Sequence, residues 1–450
     1  MFPIIASVLF LTNYILAATL TMIICRRIRS LFACTRTPKI PSLLNVTLSE
    51  LAEGLERGHF TSVDLVKAYL LRIKEVDHEF HSIIETNPDA LSIAHELDGE
   101  RQTTGSRGPI HGVPILLKDN IVTLDGVEST CDSYALVGAK PPAKSEVVTA
   151  LRRAGIIILG KANMAQWSGF RSISGCSGWS ARGGQCTGPF WKGMKASGSS
   201  SGITAATTLG LGLAALGTEI CYSIVSPAER SGVVGFKPTK DIIPSNGIIF
   251  ASKRLDTVGL ITRTVEGAAR IFGEITVQGS DEHTRAERDE MRRIINTFCS
   301  STNLSGLRIG IPSNIAELKN IHPAKTLAFK KALYVIEALG ADIVEDVEIP
   351  GAEEFANLPA ETKQLMLDTN IEVAINTYLS NLTTNPQDIT NLEDLIAYTN
   401  SHPKERYPKR NVAVLERALV ADPNDAQCKE MVAREGRSVP YNPVNCAVMR

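Results

Sequence analysis

The chain has 450 residues, 44% of them hydrophobic and 21% charged, proportions that allow a sizeable core and exclude wholesale disorder, collagen-like repeats and coiled-coil fibres. Forty-seven basic residues against 48 acidic ones leave a net charge of -1, so no global field draws the protein towards nucleic acid, and none is expected as a partner. Nine cysteines are too sparse for a disulfide scaffold and none shows the paired CxxC spacing of a zinc site, so no metal is expected.

The first 25 residues carry no charge and are mostly aliphatic, and Arg26, Arg27 and Arg29 follow at once. At about 1.5 Å per residue such a helix crosses a bilayer core. The expectation is a single-pass membrane anchor over 1–25, with a cleaved signal and a secreted product as the alternative. A basic, proline-containing linker over 26–41 then leads into one domain over 42–450.

Thr47-Leu48-Ser49-Glu50 has the form of a capping box and predicts a helix with Leu48, Leu51 and Leu55 on one face. Ser62 as N-cap, with Asp64 in the first turn, predicts a second helix carrying Val66, Tyr69, Leu70 and Ile73 on its apolar stripe. From Gly108 to about Gly273 short apolar runs alternate with helices. Val113 to Leu117 reads as a buried strand, Ser145 to Ala154 as an amphipathic helix and Ile156 to Leu159 as another buried strand, a rhythm that argues for an α/β fold. The stretch from Gly169 to Gly202 is rich in Gly and Ser, and so long a loop in a compact domain points to function. Ala205 to Leu216 reads as a small-residue helix. Further on, Leu307 to Pro312 reads as a strand and Pro323 to Leu339 as a helix.

Three blocks in this order resemble the amidase signature family: Gly112-Val113-Pro114-Ile115-Leu116-Leu117-Lys118-Asp119-Asn120, Gly198-Ser199-Ser200-Ser201-Gly202, and Gly217-Thr218-Glu219 with Ser223-Ile224-Val225-Ser226-Pro227-Ala228. Gly160-Lys161-Ala162-Asn163-Met164, Gly178 to Gln185, Val233 to Thr239 and Asp256-Thr257-Val258-Gly259 extend the likeness over about 42–275, and Gly178 to Gln185 is similar to single-chain fungal and bacterial amidases. The resemblance implies an α/β amidase signature fold, a central mixed twisted β-sheet covered by helices on both faces, here preceded by the membrane-spanning helix. It also implies hydrolysis of a small-molecule carboxamide to acid and amine through an acyl-serine, without a cofactor.

By the same resemblance Lys118 is the base, Ser199 a serine held by a cis peptide bond, and Ser223 the nucleophile. A serine hydroxyl is a weak nucleophile until a base takes its proton, and a lysine can be that base when burial lowers its pKa. Ser199 passes the proton between Lys118 and Ser223, Ser200 orients the other two, and backbone N–H groups of Ile220, Cys221, Tyr222 and Ser223 form the oxyanion hole. A rival reading makes Ser200 the nucleophile of a G-x-S-x-G elbow, which requires a buried strand just before it. Phe190 to Ala196 does not read as one.

Two departures from the family pattern bear on activity. Ile220-Cys221-Tyr222 stands where single-chain amidases have Thr-Asp-Gly, and a tyrosine restricts φ where a glycine curls freely. The family also continues some tens of residues past the point reached near Arg434, so truncation at the C-terminus is expected. A catalytically silent binding or scaffold relative, or a protein like the amide-hydrolysing subunit of a tRNA-dependent amidotransferase, are the alternatives to an active amidase.

Overall fold

The computed structural model describes residues 38–173, 177–276, 282–314 and 321–422, together with 425, 426 and 429. The chain divides between Ile40 and Pro41, and every element below belongs to the part from Pro41 onward.

The first helices are set by their caps. Thr47 Oγ1 accepts the Glu50 N–H at 3.2 Å while the Glu50 carboxylate accepts the Thr47 N–H at 2.7 Å, the reciprocal box expected for α1, Leu48–Glu56. α2, Ser62–Val76, is capped one residue earlier than expected, by Thr61. Thr61 Oγ1 accepts the Asp64 N–H at 3.1 Å and Asp64 accepts the Thr61 N–H at 2.9 Å. Ser62 is instead the first helical residue, and its N–H is taken by Asp98 of α3, Ala90–Thr103, at 2.8 Å.

In chain order the strands are β1 (Ile83–Thr86), β2 (Pro114–Lys118), β3 (Ile157–Ala162), the short pair β4 (Trp179–Ser180) and β5 (Gly184–Gln185), β6 (Ala214–Glu219), β7 (Val234–Phe236), β8 (Thr257–Thr262), β9 (Arg308–Pro312) and β10 (Asp342–Val347). Six of them form one mixed sheet in the order β1-β3-β2-β6-β8-β7. β2 runs parallel to β3 and to β6, and the other neighbours are antiparallel. β2, β3, β6 and β8 are buried at every residue, as strands covered on both faces are. Helices α4 (Glu146–Arg153), α5 (Ser201–Leu209) and α6 (Val225–Ser231) lie between the strands in sequence.

The segment read as one helix from Ala205 to Leu216 begins as helix and ends as strand, with a turn between them. α5 ends at Gly210, which takes the left-handed conformation with φ +70, and a Cβ there would meet the Leu43 carbonyl oxygen at 2.6 Å. The chain then turns into β6, whose small residues suit a central slot between two buried strands. Position in the sheet overrides the helical preference of Ala and Leu.

Later helices add another core. α7 (Val265–Thr276) and α8 (Glu282–Ser300) follow β8, α9 (Pro323–Ala338) joins β9 to β10, and α10 (Ala352–Asn357), α11 (Ala360–Ser380), α12 (Leu392–Ser401) and α13 (Ala413–Leu419) complete the described elements. Ile371 and Ile375 of α11, Leu392 and Leu395 of α12 and Leu415 of α13 pack with Cys131, Trp167 and Ile249. A fully buried ion pair fixes this core to the earlier loops: Arg171 Nη1 lies 2.7 Å from Glu405 Oε2, and Glu405 also accepts from the Ser133 hydroxyl at 2.7 Å, the Tyr134 N–H at 2.8 Å and Gln166 Nε2 at 2.7 Å. By contrast, β9 and β10 make a separate two-stranded parallel sheet, and α9 buries none of its residues.

The expected fold needs one correction. The α/β architecture with a central mixed sheet is present, but the membrane-spanning helix is withdrawn from it. Among the described residues no helix is long and apolar enough to cross a membrane, and residues 1–25 lie outside them.

Candidate active site

β2 ends on Lys118, and because that strand is central the side chain is delivered into the interior, where none of it is exposed. Its Nζ donates to Ser199 Oγ at 2.7 Å and to the carbonyl and hydroxyl oxygens of Thr218 at 3.0 Å each. Burial pushes this amine down to about 8, against the opposing pull of Asp256, the Cys131 thiol, Glu219 and Asp132. The lysine is therefore poised between its two forms near neutral pH.

The serine-rich segment is a built turn and the start of α5. The Gly198–Ser199 bond is cis. A Cβ on Gly202 would lie 2.3 Å from the Ser82 carbonyl oxygen and 2.4 Å from that of Asn163, so only glycine lets the helix start pack this closely. Ser199 and Ser200 are both buried. Phe190 to Ala196 contains no strand, and Ser200 Oγ faces the Thr218 carbonyl at 3.4 Å, so the elbow arrangement for Ser200 is absent.

Ser223 lies on the loop between β6 and α6 and is half-buried. Its carbonyl accepts the Ser200 N–H at 3.1 Å, and the hydroxyls of Ser197 and Ser226 meet at 3.0 Å. These contacts hold the loop carrying Ser223 against the one carrying Ser199. Glu219, buried at the end of β6, accepts the Val225 N–H at 3.0 Å and ties down the far side of the same loop. Ile220 is half-buried and packs on the later core, whereas Cys221 is an exposed free thiol. Among the described residues, the backbone N–H groups of Ile220, Cys221 and Ser223 make no backbone hydrogen bond in the turn, which leaves donors available to a developing oxyanion.

Tyr222 takes φ +64 and is 45% exposed. A left-handed conformation costs a non-glycine residue about 1–2 kcal/mol. Tyr222→Gly is therefore expected to raise stability by about 1 kcal/mol in denaturant melts. Made together with Cys221→Asp, it is expected to speed hydrolysis of a small aryl amide at least about tenfold, which corresponds to ~1.4 kcal/mol of barrier.

Sequence reasoning passed over Thr218. It sits in the quoted Gly217-Thr218-Glu219 block, yet only the fold shows that its hydroxyl accepts from both Lys118 and Asn120 Nδ2, the latter at 3.0 Å. No cluster of His, Cys, Asp and Glu suited to a metal ion occurs among the described residues.

Comparisons with known proteins bear on this arrangement. Residues 64–439 match the family model described as Amidase. A protein from Arthroderma benhamiae named as an amidase is 39% identical over 404 residues, 84% of this chain and 68% of that one. A glutamyl-tRNA(Gln) amidotransferase subunit from Symbiobacterium thermophilum is 35% identical over 298 residues, 66% of this chain and 59% of that one. Among solved structures, native peptide amidase from Stenotrophomonas maltophilia aligns with a TM-score of 0.75 at 32% identity, covering 88% of this chain and 80% of that one. An amidase family protein from Bacillus anthracis aligns with a TM-score of 0.74 at 27% identity, covering 88% and 77%. The chain spans about two thirds of the length of the amidase-named relatives it matches.

Proposed function

Since the chain belongs to the amidase family of hydrolases acting on amide C–N bonds, we propose that it cleaves a carboxamide to acid and amine through an acyl-enzyme on Ser223. The observation that carries this reading is the 2.7 Å contact from the buried amine of Lys118 to Ser199 Oγ. In its neutral form Lys118 takes the Ser199 proton as Ser199 takes that of Ser223, and the freed Ser223 oxygen attacks the amide carbon. The C=O electron pair moves onto oxygen, facing backbone N–H groups of residues 220–223. As the intermediate collapses, the C–N bond breaks, and the proton held on Lys118 returns through Ser199 to the departing nitrogen. A water then repeats the sequence on the ester, releasing the acid and restoring the Ser223 hydroxyl. Thr218, accepting from the amine with two oxygens, holds Lys118 on line with Ser199.

A serine-directed fluorophosphonate tests the assignment. The probe is expected on the peptide containing Ser223, and Ser223→Ala is expected to abolish labelling in a protein that still melts cooperatively. Labelling on the Ser200 hydroxyl would overturn these roles.

A further inference from the structure

Behind Lys118 lies a pair of ionisable side chains that the reaction above does not use. Asp119, the residue after the lysine, and Asp132 are both fully buried. Asp119 Oδ2 accepts three hydrogen bonds, from the Thr130 N–H at 2.9 Å, the Thr130 hydroxyl at 2.7 Å and the Asp132 N–H at 2.8 Å. That oxygen is fully engaged as an acceptor. Asp132 Oδ2 accepts the Met164 N–H at 2.7 Å. The remaining oxygen of each carboxyl is buried and makes no hydrogen bond among the described residues.

The bond from the Asp132 N–H to Asp119 Oδ2 holds the second aspartate beside the first carboxyl. Cys131 and Asp132 have φ +51 and +62, consecutive left-handed residues at the turn that brings the second carboxyl beside the first. The surrounding charges are engaged elsewhere. Arg182 donates to the Thr130 hydroxyl at 2.9 Å, stands 3.7 Å from Glu85 and only approaches Asp119 Oδ1 to 4.0 Å. Lys161 is buried and gives its protons to the Ile121 carbonyl and, at 2.7 Å, to the Ser129 hydroxyl. Ser180, the other polar side chain facing Asp132, gives its hydroxyl proton to Asn163 Oδ1 at 2.8 Å. Two buried carboxylates this close repel, whereas one proton between them turns the repulsion into a hydrogen bond.

We propose that Asp119 and Asp132 share one proton, resident on Asp132, and that the pair acts as a positioning element for Lys118 by withholding the Asp132 charge from it. Burial first, and then the Asp119 charge, push the Asp132 carboxyl well above the usual carboxylate range. Asp132 is one of the groups whose ionisation favours the charged form of Lys118, with Asp256, Cys131 and Glu219 the others. An ionised Asp132 would add to that pull and favour the ammonium, which cannot accept the Ser199 proton. The link to Lys118 rests on its reading as the base; the shared proton does not.

The experiment has two arms. Infrared spectra of the full chain with 13C-labelled aspartate are expected to show a buried, protonated carboxyl C=O band at neutral pH that moves with the label and disappears in Asp132→Asn. Its absence from the wild-type spectrum overturns the shared proton, whether or not any variant folds. In the second arm the pH profile of kcat/KM on an aryl amide is compared for wild type and Asp132→Asn. Asparagine mimics the neutral donor, so the rising limb is expected to stay within about 0.3 pH unit. A fall of the limb by about one unit or more would mean that an ionised carboxylate had been removed beside Lys118, and would overturn the proposal. Failure of the acyl-enzyme reading shows separately, as loss of the fluorophosphonate label from Ser223.

Discussion

Lys118→Met is expected to lower kcat for amide hydrolysis on the order of 10³–10⁴-fold, the contribution of a positioned general base, with little change in KM. The variant should nevertheless fold well. A charged amine in a fully buried site is costly, and methionine fills nearly the same volume without that cost. Stability as a function of pH distinguishes this from a simple loss of structure. The amine titrates near 8 in the fold and near ~10.4 in the unfolded chain, so between those values the unfolded state binds more protons and wild-type stability rises with pH. Below about 8 that contribution is lost. Lys118→Met should show no such alkaline rise, and wild-type activity should climb through the same region as the lysine becomes neutral. A wild-type rate that is flat from pH 6 to 9 on an amide would show that Lys118 is not the base.

Glu405→Ala is expected to destabilise the fold by about 3–5 kcal/mol, seen as a lower denaturant midpoint at unchanged slope. Four groups lose this acceptor at once, the Arg171 guanidinium, Gln166 Nε2, the Ser133 hydroxyl and the Tyr134 N–H, although Arg171 keeps the neutral acceptors Gln166 Oε1 and the Glu405 and Arg410 carbonyls. The largest share comes from Arg171, which none of the solvent reaches. Its guanidinium also sits 5.2 Å from the centroid of the Trp179 ring, with that of Arg410 at 4.7 Å, so a second cation shares the neighbourhood of the lost carboxylate. Removing both charges, in Arg171→Met with Glu405→Gln, should return much of the loss, because a missing pair is cheaper than an orphaned ion. If the single change costs less than about 1 kcal/mol, water reaches Arg171 in solution and the pair is not a dry one.

The sequence made some features legible and hid others for identifiable reasons. Lys118 was readable as a buried lysine because an apolar run leads straight into it, and the Thr47 capping box was readable because all its partners lie within one turn. β6 was not, because Ala214, Ala215 and Leu216 suit a helix as well as a central strand, and only the neighbours β2 and β8 decide between them. Arg171 and Glu405 are separated by 234 positions, so no local pattern marks them as partners. Thr218 stood inside a recognised block, but a hydroxyl that accepts from an amine one strand away is visible only once the strands are paired. Tyr222 was marked as a departure where glycine is usual, and its positive φ is the physical form of that departure.

The joining of residues 131–167 to residues 371–418 in one core also has a consequence for how the molecule comes to exist. A chain emerging from the ribosome would carry Lys118, Ser199 and Ser223 long before Glu405 appears, and Ser133 would wait 272 positions for the carboxylate that its hydroxyl meets. Contacts of such long sequence separation slow folding, because loop closure must precede the gain from making them. Over that interval Arg171 lacks its Glu405 partner and Trp167 and Ile249 lack their later packing partners, a nascent state with apolar surface open to association and chaperone binding. Closure of this core is thus the late event of synthesis, even though the residues of the candidate site lie in the first half of the chain.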